Sequence, residues 1–109
     1  MRIVNGKKFY KKDIDAAKPL SFNGWDSYDG SNHQWYSVYY NPECGLVILY
    51  ADNTGNCYGD YTDRYFASPQ EFAEWVRECT SRSLSKLFGD VDEGDEVAMK
   101  FVSEIYPDA

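Results

Sequence analysis

The amino-acid sequence predicts an α+β fold. Its parts are an antiparallel β-meander of three or more strands, an N-terminal hairpin, and one or two C-terminal helices packed on the meander. Three observations carry this expectation. "LVILYA" (46–51) is apolar at both alternating positions, the pattern of a strand covered on both faces and therefore central. β-prone runs flank it across "NPECG" and "DNTGN", turn sequences short enough to demand antiparallel neighbours. The strongest helical signals come afterwards, from Ser68 onward.

Each element has a local reason. "RIVNGKKFY" is two short β-prone runs around Asn-Gly, the strongest short hairpin signal. "KKDIDAAK" has the composition of one or two helical turns, ended by Pro19. "SFNGWDSYDGSN" reads as a loop, and its Phe22, Trp25 and Tyr28 should fold back onto the body. The meander strands are expected at about 34–41, 45–52 and 56–66.

"SPQEFAEWV" then opens a helical segment over 68–88. Ser68 takes the N-cap, Pro69 the first helical position and Glu71 the third, a capping box with the favoured proline. Phe72, Val76, Cys79 and Ser83 share a face, which Leu84, Leu87 and Phe88 extend. "TSRS" is the place where this segment would break in two, and Gly89 ends it. A last helix over 92–105 buries Val97, Phe101, Val102 and Ile105 and stops before Pro107. At 109 residues, without an internal repeat, the expectation is one α+β domain spanning 1–109.

Charge narrows the function classes. Net charge is −7 and uneven: residues 1–18 carry six Lys/Arg and two Asp, whereas 19–63 carry six acids and no Lys or Arg. Phosphate binding needs cations, so nucleic acid is a poor direct ligand and a basic protein a good one. "MRIVNGKKFY" has no apolar signal-peptide core, and the apolar run "GLVILYA" is far short of the ~20 residues that span a bilayer. The expectation is a cytoplasmic protein with no membrane partner.

Metal and catalytic chemistry find little support. Cys44, Cys57, Cys79 and His33 match no common zinc spacing. "DVDEGDE" is acidic, but an EF-hand frame from Asp90 puts Asp95 where glycine is needed and Phe101 at the last ligand. "DNTGNCYGDYTD" fails likewise at Cys57. His33 is the single histidine, and no nucleotide-binding or nucleophile-elbow motif is present. No cofactor, metal or catalytic residue is assigned, and the protein is expected not to be an enzyme.

What stands out is tyrosine. Seven of the ten tyrosines lie between Trp35 and Phe66, where the only Lys or Arg is Arg64. A core would take Phe or Leu, which carry no hydroxyl in need of a partner, whereas Tyr suits interfaces. Tyr36, Tyr39, Tyr40, Tyr58 and Tyr61 are the candidate anchors of a binding face. Glu43, Asp52, Asp60 and Asp63 are its candidate charges. Strand alternation means that only a subset can share a face. In physical character, though not in motif, the chain is similar to inhibitor proteins that block basic nucleic-acid-handling enzymes: toxin immunity, antirestriction and anti-CRISPR proteins. That resemblance implies an acidic, Tyr-rich surface presented to a basic, nucleic-acid-binding partner protein. The alternatives are an adaptor or homodimerising domain that uses the same face, and a small enzyme or ligand binder with a pocket between the sheet and loop 20–33.

The thiols give a direct test. In a hairpin of 45–51 with 57–65, Cys44 and Cys57 fall roughly 20 Å apart, beyond the ~7 Å that a disulfide spans. Thiol titration under denaturing, non-reducing conditions should count three free cysteines. A count of one would mean a disulfide and defeat that strand arrangement.

Overall fold

Apolar residues at successive positions of one strand must be covered from two sides, and the architecture is built around that demand. The computed structural model describes residues 1–22, 25–29, 32–53, 60–80 and 91–106. The elements are β1 (Arg2–Val4), β2 (Lys7–Phe9), α1 (Lys11–Asp15), β3 (Lys18–Pro19), β4 (Trp25–Asp29), β5 (Asn32–Asn41), β6 (Leu46–Asn53), β7 (Asp60–Phe66), α2 (Pro69–Thr80) and α3 (Val91–Ile105). The fold is α+β, with an N-terminal hairpin, an antiparallel sheet and C-terminal helices, as the sequence predicts.

Strand β6 is central, paired antiparallel to β5 on one side and β7 on the other. The outer edge of β5 is shared. β3 pairs at Tyr39 and Tyr40, and β4 pairs along Asn32 to Tyr36. The segment expected to be a loop therefore differs from expectation at 25–29, which is a strand. Its Trp25, Ser27 and Asp29 are paired in order with Tyr36, Gln34 and Asn32. Pairing with a long neighbouring strand satisfies backbone groups that the polar, turn-rich composition alone would leave to solvent.

The two sides of β6 are covered by different parts of the chain. Val47 and Leu49 join Tyr36 and Val38 beneath the helices, with Phe72 and Val76 of α2 and Val97, Ala98 and Phe101 of α3. Aromatic rings close this layer: Phe72 and Phe101 lie 4.7 Å apart, and Phe22 meets Phe101 edge-on at 6.0 Å. On the other side Leu46 and Ile48 pack with Phe9 and Ala67, and with Val4 and Ile14 of the N-terminal segment. The hairpin and α1 are thus a second, smaller cover.

The local signals act as their chemistry dictates. Asn5 and Gly6 both have positive φ, 50° and 79°, the geometry of a two-residue hairpin turn. Ser68 Oγ accepts the Glu71 amide at 3.2 Å, and Glu71 Oε2 accepts the amide of Ala67 at 3.0 Å. The carboxylate thus reaches one residue beyond the N-cap, because the chain enters the helix directly from β7. Helix α2 is described to Thr80; the expected continuation to residue 88 lies outside the described residues.

A buried polar residue ties the second cover to the sheet. Asn41, at the end of β5, is only 2% exposed. Its Nδ2 donates to the Asp13 carbonyl of α1 at 2.9 Å, and its Oδ1 accepts the Glu43 amide at 3.0 Å. Its carbonyl accepts the Gly45 amide at 2.8 Å, and Gly45 sits at φ +79°, where a side chain would be strained. Lys7 Nζ adds a bond to the Cys44 carbonyl at 2.6 Å. Asn41→Ala should leave a part-buried carbonyl and an amide without their side-chain partner and cost ~1 kcal/mol of stability or somewhat more. Asn41→Asp should not rescue it, because the second oxygen would face the Asp13 carbonyl. Urea unfolding of the three proteins measures both effects.

Candidate functional site

Antiparallel register decides which candidate residues fall on the same side of the sheet, since direct cross-strand partners share a face. Tyr50 pairs with Ser37 and Asp63, and Ile48 pairs with Tyr39 and Tyr65. Ile48, Tyr39 and Tyr65 belong to the side covered by the N-terminal hairpin and α1. Tyr50 and Asp63 are the next row of the same side, further along the strands. The row beyond that has Asp52 paired with Trp35 and with Tyr61. These three register positions have the same parity as Tyr50 and Asp63.

Four of the nine candidate positions, Tyr39, Asp52, Tyr61 and Asp63, therefore share one parity across β5, β6 and β7. Three others do not. Tyr36 is a correction to the expected binding face: it is 4% exposed and lies in the core beneath the helices, where it cannot act as a surface anchor. Tyr40 has the same parity and packs against Phe101, with ring centroids 6.5 Å apart. Asp60 pairs with Asn53 and also has the parity of the helix-covered side. Glu43 is exposed in the β5–β6 turn, at the end of the sheet opposite Asp52. Tyr58 lies outside the described residues.

Asp63 is exposed and Tyr50 is half-buried. The neighbouring Arg64 is turned away from them, with its guanidinium 5.5 Å from the centre of the Trp75 ring. Trp75 packs against the helix-side core, so the one cation adjacent in sequence to Asp63 does not neutralise it. Tyr65, one row nearer the hairpin, carries the Arg2 guanidinium at 4.0 Å from its ring centre. That contact closes the covered part of the face, and the acidic part begins at the next row.

Two residues that matter here were missed by sequence reasoning. Tyr50 is not among the anchors the sequence predicts, and register brings it opposite Asp63. Trp35, at the start of the Tyr-rich stretch, is likewise not a predicted anchor, and register brings it opposite Asp52. Both alternate with Tyr39 and Ser37 along β5 or with Ile48 along β6. That alternation was the available signal, once the strand frame was known.

Within the segment 20–33, expected as a loop that borders a pocket against the sheet, 25–29 is a strand, and residues 21 and 22 contact α3. The Ser21 amide donates to Glu104 Oε1 at 2.6 Å, and Ser21 Oγ donates to Glu104 Oε2. A cavity of about 440 Å³ lies there, open to solvent and lined by Ser21, Phe22, Lys100, Ser103 and Glu104. Cys44 is a free thiol. Among the described residues no three His, Cys, Asp or Glu side chains converge as metal ligands, and no helix is long and apolar enough to cross a membrane. No protein-family model, curated protein or solved structure matches the chain.

Burial raises the pKa of the Tyr40 hydroxyl, with smaller contributions from Tyr106 and Cys44. A raised folded-state pKa favours the neutral phenol, so Tyr40 supports stability below the unfolded tyrosine pKa. That support is lost as pH rises through the folded value. Tyr40→Phe should therefore flatten the fall in stability above about pH 10. Urea midpoints measured from neutral to alkaline pH, with Tyr10→Phe on the exposed surface as control, read this out.

Proposed function

We propose that the protein works by binding a basic partner protein, one that carries a cationic nucleic-acid-handling surface, and that it blocks that surface. The binding face is the part of the sheet beyond the N-terminal cover. The observation that carries the proposal is the pair of adjacent register rows Ser37–Tyr50–Asp63 and Trp35–Asp52–Tyr61. They set aromatic and acidic residues side by side across three strands, in a stretch where residues 19–63 contain no Lys or Arg.

The physical logic has two parts. A cationic groove built for phosphates attracts carboxylates held at fixed positions, and long-range attraction speeds the encounter. Tyr and Trp then supply rigid contact area at the centre of the interface, where most binding energy concentrates. The sheet limits the ordering cost of binding, because the backbones of these residues are already held in paired strands. Glu43 stands at the far end of the sheet and takes no part in this face. Tyr36 and Tyr40 support it from beneath, in the core. The protein acts stoichiometrically and in the cytoplasm, where such partners work.

The test uses a partner captured from the source cell and then purified. Association should slow steeply with added salt. Asp52→Lys with Asp63→Lys should lower the on-rate about tenfold and weaken its salt dependence. Tyr50→Ala should act on the off-rate, at a cost of ~2 kcal/mol. Asp92→Lys with Glu93→Lys, in the separate acidic segment at the start of α3, is the control and should change little. If the control pair abolishes binding while the sheet variants bind normally, the interface is the C-terminal acidic segment and the proposal is wrong.

A further inference from the structure

The outermost strand of the sheet and the first strand of the hairpin face each other across an open slot. Among the described residues, neither the outer edge of β7 nor the outer edge of β1 is paired with another strand. The slot has a volume of about 320 Å³, within the range of ligand-binding clefts. Its walls are Ile3 and Val4 of β1 and Asp63 to Phe66 of β7, with Trp75 of α2. A second hollow of about 350 Å³ continues it past Val4, Tyr65, Phe66 and Trp75 to Asn5, Glu71 and Glu74.

We propose that this slot is a strand-addition site for an extended segment of a partner polypeptide, paired through its backbone to β7. It adjoins the face under "Proposed function" at Asp63, which belongs to both, but it does not depend on that reading. Three observations define the occupant. Unpaired strand edges offer rows of amide and carbonyl groups that an extended chain satisfies. Ile3 is 60% exposed at the wall of the slot, so an apolar, β-branched residue of the occupant covers it. The slot is also dipolar. Arg2 and Arg64 line the first hollow together with Asp63, a net positive end; the two guanidiniums rest on the rings of Tyr65 and Trp75, with no carboxylate in salt-bridge contact with either among the described residues. Glu71 and Glu74 lie toward the other end. Glu71 is engaged by the Ala67 amide, which leaves Glu74, exposed on α2, as the charge available to a ligand. The occupant is therefore a β-prone segment with an acidic residue at the Arg2 and Arg64 end and a basic residue at the Glu74 end.

The charged side chains on β7 also serve the isolated protein, because charge on an edge strand discourages indiscriminate pairing. A specific occupant must then satisfy those charges as well as the backbone, which is how the edge discriminates.

The experiment uses the full chain labelled for amide detection. The probe is a blocked seven-residue peptide of alternating valine and threonine, with lysine at one end and glutamate at the other. Binding should shift the amide signals of residues 62–66 and 2–4 and slow their hydrogen exchange. The same peptide N-methylated at alternate residues should bind about tenfold more weakly or worse, because it cannot complete the ladder. Arg2→Glu with Arg64→Glu, both on exposed side chains, should weaken the original peptide roughly three- to tenfold. If that double substitution leaves the affinity of the original peptide unchanged, the assigned polarity is overturned. The proposal fails if millimolar peptide leaves the 62–66 amides unmoved, or if the N-methylated peptide binds as well as its parent. It also fails if those amides shift with protein concentration alone, since the occupant is then a second copy of the chain.

Discussion

The structure depends on one demand: strand β6 must be dry on both faces. Leu46 and Ile48 alternate with Val47 and Leu49, and all four are buried. A strand of this kind cannot lie at an edge or on a sheet with one wet face, since fully burying each such side chain is worth ~1.5–3 kcal/mol. Two covers are therefore required. The helices α2 and α3 form one, centred on Phe72 and Phe101. The N-terminal hairpin and α1 form the other, centred on Phe9.

The second cover is small, and its size shapes the rest of the surface. It packs on Leu46, Ile48, Tyr39 and Tyr65, at the end of the sheet where Asn41 and the β5–β6 turn anchor it. The cover is also where the positive charge of the chain sits, with six Lys/Arg among residues 1–18. The rows beyond it fall in the stretch that has none. The same folding event thus separates charge along the sheet: a basic, tightly packed end and an acidic, aromatic end. Charge separated in this way along the sheet steers any charged molecule that approaches it.

The hairpin cover has a further consequence at the sheet edge. Because β1, among the described residues, pairs only with β2, the hairpin lies against the sheet without joining its ladder. Side chains make the contact, with Arg2 over Tyr65 and Val4 packed in the cluster. Two strand edges are left facing one slot. Among the described residues no further strand pairs with either edge, and α2, which follows β7 through the capped turn at Ser68, contributes Trp75 to the wall of the slot.

Much of the fold was legible in the residues. The two-sided apolar run 46–51 specified a central strand, Asn5-Gly6 specified a hairpin turn, and Ser68-Pro69 with Glu71 specified a helix start; each rests on local stereochemistry or on periodicity within one element. The strand at 25–29 was not legible, because its Asp, Ser and Tyr composition is that of a loop until β5 offers it a ladder. Nor was the role of Asn41, whose partners lie 28 residues away at Asp13 and two residues on at Glu43. The proposed binding face was half legible. The sequence by itself determined that tyrosine and acid are concentrated between Trp35 and Phe66 and that cations are missing there. Only the tertiary structure decided which of them share a side, placing Tyr36 in the core and Tyr50 beside Asp63. The physical reason is the period of two along a strand: a shift of one residue in register exchanges the faces, and register is set by pairing between strands rather than by either strand alone.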